Sequence, residues 1–232
     1  MSVGPVWKGR EMDVGIIGGT GPAGRALAVR LASCGPSVVV GSRDAARGEE
    51  IAAELRAAWP DRDLTLSGTD NAGAARCGIV VLATPYEAAA ETALDLADAL
   101  EGRVVVSMVN AIGRVGRELQ AIVPARGSVA ATLQSVLPGS EVSAAFQHLP
   151  ARDLAALDRP LDADVLVCAD SERAASETAA LVEAVPGLRA VNAGSLASAG
   201  PVEALTAVLV NVNIRYRSHV ALKLTGLRSH GS

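Results

Sequence analysis

Six residues near the start of the chain, Gly19-Thr20-Gly21-Pro22-Ala23-Gly24, leave it few folds to choose from. A β-branched run, Asp13 to Gly18, leads into them, and an Ala/Leu/Val-rich stretch from Pro22 to Ser33 leads away. The order strand, G-x-G-x-x-G turn, helix is the opening of a βαβ unit that binds a dinucleotide. The first glycine permits the tight turn. The second lets a pyrophosphate approach the backbone, and the third lets helix and strand pack closely, while the helix N-terminal amides face the phosphates. An ordinary glycine-rich turn is the alternative, but it would need neither the strand nor the helix.

The end of the second strand, Ser37 to Gly41, selects the dinucleotide. NAD sites place an Asp or Glu there for the ribose 2′-hydroxyl, whereas this chain reads Gly41-Ser42-Arg43-Asp44-Ala45-Ala46-Arg47. Arg43 and Arg47, one helical turn apart, can clamp a 2′-phosphate with help from Ser42 and Thr20, which predicts NADP. The competing reading makes the two arginines a solvated helix start. Asp44 is expected to cap that helix in either case.

Strand and helix signals continue to alternate: a helix over Ala45 to Trp59, strands at Leu64 to Ser67, Gly78 to Ala83 and Arg103 to Met108, and a helix over Tyr86 to Leu100. The apolar strands predict a sheet covered on both faces. Farther on come a helix at Val129 to Leu137, strands at Val142 to Phe146 and Asp164 to Cys168, and a helix over Ser171 to Val185. Val202, Leu205, Leu209, Val212, Tyr216 and Val220 recur at helical spacing and predict one long amphipathic helix up to Leu224. The expected fold is α/β, a Rossmann-type doubly wound parallel sheet with a smaller C-terminal α/β lobe ending in that helix. Residues 12–140 form the NADP-binding domain, and residues 141–232 the lobe.

Composition excludes other classes. Half the chain is hydrophobic, only 20% is charged and the mean hydropathy is +0.30, so global disorder is ruled out. Two Trp, two Tyr and one Phe leave an aliphatic core and too few rings to stack single-stranded nucleic acid. The net charge of −4 argues against a polyanion partner. No apolar run is expected to span a membrane, and the first dozen residues, with Lys8, Arg10 and Glu11, look like a loose leader. A cytoplasmic location follows by default. Cys34, Cys77 and Cys168 lack the short spacings of metal or redox sites and are expected as buried free thiols.

Ile16-Ile17-Gly18-Gly19-Thr20-Gly21-Pro22-x-Gly24 together with Gly41-Ser42-Arg43 resembles the NADPH-dependent coenzyme F420 reductases, the deazaflavin:NADP oxidoreductases. The segments Ala83-Thr84-Pro85-Tyr86, Val105 to Asn110, Ala144 to Pro150, Asp164 to Cys168 and Val202-Glu203-Ala204-Leu205-Thr206 extend the likeness over Asp13 to Leu227. The resemblance implies hydride transfer between NADPH and the deazaflavin F420, usually in a homodimer. It puts NADP contacts on Thr20, Ser42, Arg43 and Arg47, and lays Thr84-Pro85 and Val109-Asn110 against the nicotinamide. Gln147, His148 and Thr206 fall on the acceptor side. Gln147 stands where the family commonly has histidine, and Gly200 where it often has a basic or imidazole group.

From the residues alone, Tyr86, His148 and Lys223 are candidate proton donors. Asn211, Arg215, His219 and Lys223 form a four-residue periodic row along the last predicted helix, by default a solvated face and alternatively a surface for an acidic deazaflavin tail or a partner subunit. Two other functions stay compatible: NADPH-dependent reduction of a small imine or carbonyl, with Tyr86 or Lys223 giving the proton, and nucleotide sensing without turnover.

Overall fold

The predicted strands send alternate side chains to opposite sides, and both sides are covered. In the computed structural model, which describes residues 12–227, Ile16 and Val81 face one apolar layer and Ile17, Val80 and Leu82 the other, all fully buried. The expected leader lies outside the described residues. The chain runs β1 (Asp13–Ile17), α1 (Pro22–Ala32), β2 (Ser37–Ser42), α2 (Ala45–Ala58), β3 (Leu66–Asp70), α3 (Asn71–Ala74), β4 (Ile79–Leu82), α4 (Tyr86–Asp95), α5 (Ala97–Leu100) and β5 (Val104–Ser107). It continues through β6 (Ile112–Val115), β7 (Glu118–Ala121), α6 (Val129–Val136), β8 (Glu141–Ala144), α7 (Ala151–Ala155), β9 (Ala163–Ala169), α8 (Glu172–Glu183), β10 (Leu188–Gly194) and α9 (Ala199–Tyr216).

Eight strands form one sheet in the order β10-β9-β8-β5-β4-β1-β2-β3, parallel throughout except where β9 meets β8. The chain leaves β1 toward β2 on one side and later returns to β4 on the other, so the glycine turn opens at the point where the winding reverses. Ligands of doubly wound sheets bind there. Residues from Glu141 onward add β8, β9 and β10 beyond β5 and close with α9.

Several predicted elements move. β3 spans Leu66–Asp70 instead of Leu64 to Ser67 because it pairs with β2 as far as Ser42↔Asp70. The helix expected over Tyr86 to Leu100 breaks at Leu96 into α4 and α5. The helix predicted to reach Leu224 stops at Tyr216, where Arg217 turns left-handed with φ 51°. The buried Asp164 carboxylate captures the chain beyond: it accepts from Leu224 N at 2.6 Å and from the Arg189 fork at 2.8 and 2.6 Å. His219 and Lys223 therefore leave the polar row, His219 to meet Asp153 at 3.1 Å and Lys223 to pair with Asp162. Asn211 stays on α9 and holds Leu119 of β7 through both its amide atoms.

Two expectations from composition also change. Leu196–Tyr216 is 21 residues long and contains an 18-residue stretch with a mean hydropathy of 1.2, so among the described residues one helix is, by length and composition only, apolar enough to cross a membrane. Its inner side is built into the fold, since Ala199, Val202, Glu203, Thr206 and Ala207 are buried. Cys77 and Cys168 are buried free thiols whose burial pushes their pKa up to about 11, but Cys34 is only half-buried.

Candidate functional site

A cleft of about 490 Å³ opens over the glycine turn, bringing Thr20, Gly21, Ser42, Arg43, Arg47 and Thr84 onto one surface. The turn's glycines have different reasons to be glycine. Gly18, one position earlier than the sequence pattern suggests, takes the left-handed conformation at φ 72°. A Cβ on Gly19 would sit 2.8 Å from Ile16 O, and one on Gly24 would sit 2.8 Å from Gly19 Cα, so both are demanded by close packing. Gly21 has φ −74°, open to any residue, and its Cβ would meet nothing nearer than Gly18 O at 3.6 Å. The fold itself does not need glycine there; close approach of a phosphate to the backbone would. Pro22 and Ala23 start α1, whose N-terminus has no side-chain cap, leaving its first amides to an anion.

At the end of β2, Ser42 is buried and Arg43 is exposed without an ion-pair partner among the described residues. Arg47 holds Glu50 at 2.5 Å, a bond that raises its pKa, and stays half-exposed. Asp44 caps α2 by accepting from Ala46 N at 2.9 Å. The same cleft is lined by three residues that sequence reasoning missed: Asn71, Ala88 and Thr92. Asn71 Oδ1 accepts from Gly18 N at 3.3 Å and braces the turn. The pair Asp70-Asn71 at a strand end was its available signal, hidden by the early placement of β3.

From Thr84 at the cleft's edge, the C-terminal ends of β4, β5 and β8 gather buried polar atoms with no hydrogen-bond partner among the described residues. They are Thr84 Oγ1, Ser107 Oγ, Asn110 Oδ1, His148 Nδ1 and both amide atoms of Gln147. Each such atom costs about 1–3 kcal/mol unless a ligand or water satisfies it. Phe146, fully buried with φ 67°, holds a backbone strain of the kind that collects at binding sites. The next residue is fixed from two sides, for Gln147 O accepts from Asn110 Nδ2 at 2.9 Å and from Thr206 Oγ1 at 3.3 Å. Val109 packs its side chain into the core, which leaves only its backbone to a ligand. Pro85 is exposed and directs the chain into α4.

The candidate proton donors fare differently. His148 Nε2 accepts from Leu166 N at 3.2 Å, and burial lowers its pKa to about 4, so the ring is neutral at pH 7 and serves as an acceptor. Lys223 is tied to Asp162 and lies outside the cleft over the glycine turn. Tyr86, the first residue of α4, packs against the apolar layer that contains Val80 and Leu82. Gly200 is explained by packing: any Cβ there would lie 2.3 Å from Gly127 O. Glu203, three residues on, accepts from Val129 N at 2.9 Å and Ala130 N at 3.2 Å, so this carboxylate caps α6.

Comparison with known proteins places this geometry in context. The family described as NADP oxidoreductase, coenzyme F420-dependent, matches residues 13–111. An F420-dependent NADP reductase of Methanocaldococcus jannaschii is 36% identical over 224 residues, covering 94% of this chain and 97% of the relative. One from Methanothermobacter thermautotrophicus is 32% identical over 222 residues, covering 93% and 96%. Among solved structures, a candidate F420-dependent NADP-reductase from Arthrobacter sp. FB24 shares the fold, with a TM-score of 0.78 at 21% identity over 92% of this chain and 99% of that one.

Proposed function

The chain belongs to the coenzyme F420-dependent NADP oxidoreductase family, and from that membership we propose how its residues carry hydride between NADPH and the deazaflavin F420. The observation that carries the reading is the adjacency of two complementary surfaces. One is a cation-lined cleft over a glycine turn; the other is a buried set of unpartnered hydrogen-bonding atoms at the ends of β4, β5 and β8. Both fit their ligands: the space over Gly21 suits a pyrophosphate, and the orphaned amide and hydroxyl atoms suit flat rings edged with carbonyl and amide groups.

In this reading Arg43, Arg47, Ser42 and Thr20 hold the 2′-phosphate, Arg47 turning from Glu50 to do so. Gly19, Gly21 and the first turn of α1, Pro22-Ala23-Gly24, hold the pyrophosphate. Thr84, Pro85, the Val109 backbone and Asn110 orient the nicotinamide. Gln147 offers a donor and an acceptor to the second ring, Thr206 and Asn110 fix its backbone, and neutral His148 keeps the loop on β9. When bound, F420 would supply the ring that accepts the hydride and a proton, so the protein's part would be to hold two rings stacked. The proton that reduction also consumes would come from solvent, in keeping with a neutral His148 and a paired Lys223.

Residues 12–140 act as the NADP domain and those from 141 onward as the acceptor lobe. A second copy covers the apolar side chains left exposed on α9 and the β6–β7 hairpin, and the three free thiols suit a reducing cytoplasm. NADPH oxidation should depend on added deazaflavin and not on small imines or carbonyls, followed by absorbance with each acceptor in turn. Arg43→Ala should weaken NADPH binding by about 1.5–3 kcal/mol, the worth of a charge-assisted contact, while NADH binding hardly changes. Equal losses for both nucleotides would refute the 2′-phosphate assignment.

A further inference from the structure

Helix α1 carries the glycine turn at one end and an unusual arginine near the other. Arg30 is only 6% exposed, and among the described residues its guanidinium meets no carboxylate within ion-pair distance. It is spent on backbone carbonyls: Nε donates to Leu154 O at 2.9 Å, and Nη2 donates to Asp153 O at 2.8 Å and Ala156 O at 2.7 Å. Longer contacts of 3.5 Å reach Arg159 O from both terminal nitrogens.

Those carbonyls belong to the end of α7 and the turn after it. α7 has five residues, far too few to hold a helix alone. Its order comes from α1: Arg30 donates to Leu154 O, which no backbone amide among the described residues reaches, and adds a second donor to Asp153 O and Ala156 O, which already accept from Ala156 N and Arg159 N, while Leu149 and Leu154 pack in the same core layer as Leu27 and Leu31. A buried cation is a poor way to add stability, because an apolar side chain fills the same volume without the desolvation cost. What the planar fork supplies is direction, since several donors fixed in one plane lock several carbonyls at once and a lysine cannot copy the pattern. The locked segment begins at Pro150, three residues after Gln147.

We propose that Arg30 is a positioning residue for the acceptor site, clamping α7 against the dinucleotide helix and so fixing Gln147 relative to the nicotinamide. One rigid helix then references both ligands, the pyrophosphate at its N-terminus and the acceptor loop through Arg30. The inference rests on the proposed function for its consequence in hydride transfer, but not for the clamp itself.

Arg30→Lys and Arg30→Met, each in the full chain, test it with three readouts: hydrogen exchange of the amides of residues 146–156, NADPH affinity, and single-turnover hydride transfer to F420. Exchange protection should fall at least about tenfold in that segment while β1, β2 and the first turn of α1 keep theirs. NADPH affinity should stay within about twofold while hydride transfer falls about tenfold to a hundredfold, as expected for misplaced reactants, with the Lys variant between wild type and Met. Loss of protection across the whole sheet, loss of NADPH affinity in step with rate, or failure of both variants to fold would overturn the proposal and leave Arg30 a general stability residue. Wild-type protein that reduces no deazaflavin would sink the functional reading alone, and the exchange pattern would still decide the clamp.

Discussion

At the scale of single residues, the contrast between Gly21 and Gly24 separates folding from binding. Gly24 is boxed in by Gly19, whereas Gly21 has room for a side chain and an ordinary backbone conformation. Gly21→Val should abolish NADPH binding in a titration while shifting unfolding free energy by no more than about 1 kcal/mol, the worth of a glycine N-cap. Unchanged affinity would make the turn merely structural. His148 gives a second residue-level expectation. Its folded pKa is depressed from 6.5 to about 4 by burial, so the unfolded chain binds the proton more readily. Stability contributed by the neutral ring is intact above pH 6.5 and drains away as pH falls toward 4. Denaturant unfolding at pH 7 and pH 5 should show about 2 kcal/mol of this loss, and His148→Gln should remove most of the difference. An equal pH dependence in the variant would mean that His148 is not the group responsible. Glycine spacing and strand-end arginines are readable from the chain, but the neutrality of His148 is not, because it depends on how deeply the fold buries the ring.

Among elements, legibility followed how far each one carries its own signal. β1, β2, β4 and β5 are aliphatic runs closed by glycine or charge, and the sequence places them to within a residue or two. The β6–β7 hairpin is short, half polar and turned at Gly116 with φ 61°, so it has no apolar period to betray it, and β10 is only partly buried. α7 escaped notice because it owes its helicity to Arg30, and α9 ran too long on paper because its stop signal is Asp164, 53 residues earlier than Arg217 in the chain. α9 also carries an expectation of its own. Val208, Ile214 and Tyr216 are 54% to 72% exposed, more apolar surface than a helix end needs in a monomer. Tyr216→Glu combined with Val208→Glu should convert a dimer to a monomer in sedimentation equilibrium without lowering NADPH affinity. A wild-type chain that sediments as a monomer would refute the second copy.

For the whole molecule, the sheet order sets the chemistry. Reversal of winding between β1 and β4 puts the nucleotide cleft beside the ends of β5 and β8, and α9 reaches over with Thr206 to fix the loop that carries Gln147. The nucleotide half of this arrangement was written locally, in residues close together in the chain. The half proposed to hold the two rings was not, since Asn110, Gln147 and Thr206 are joined only through the sheet and α9. The central claim is that the two halves hold two rings in contact. Its most direct measurement is a single turnover of NADPH deuterated at the transferring position, mixed with stoichiometric F420 and followed by deazaflavin absorbance and mass spectrometry. Deuterium appearing in the reduced deazaflavin, one for each NADPH consumed and with a slowed rate, is the predicted result; tight NADPH binding with no deuterium in the deazaflavin would contradict it.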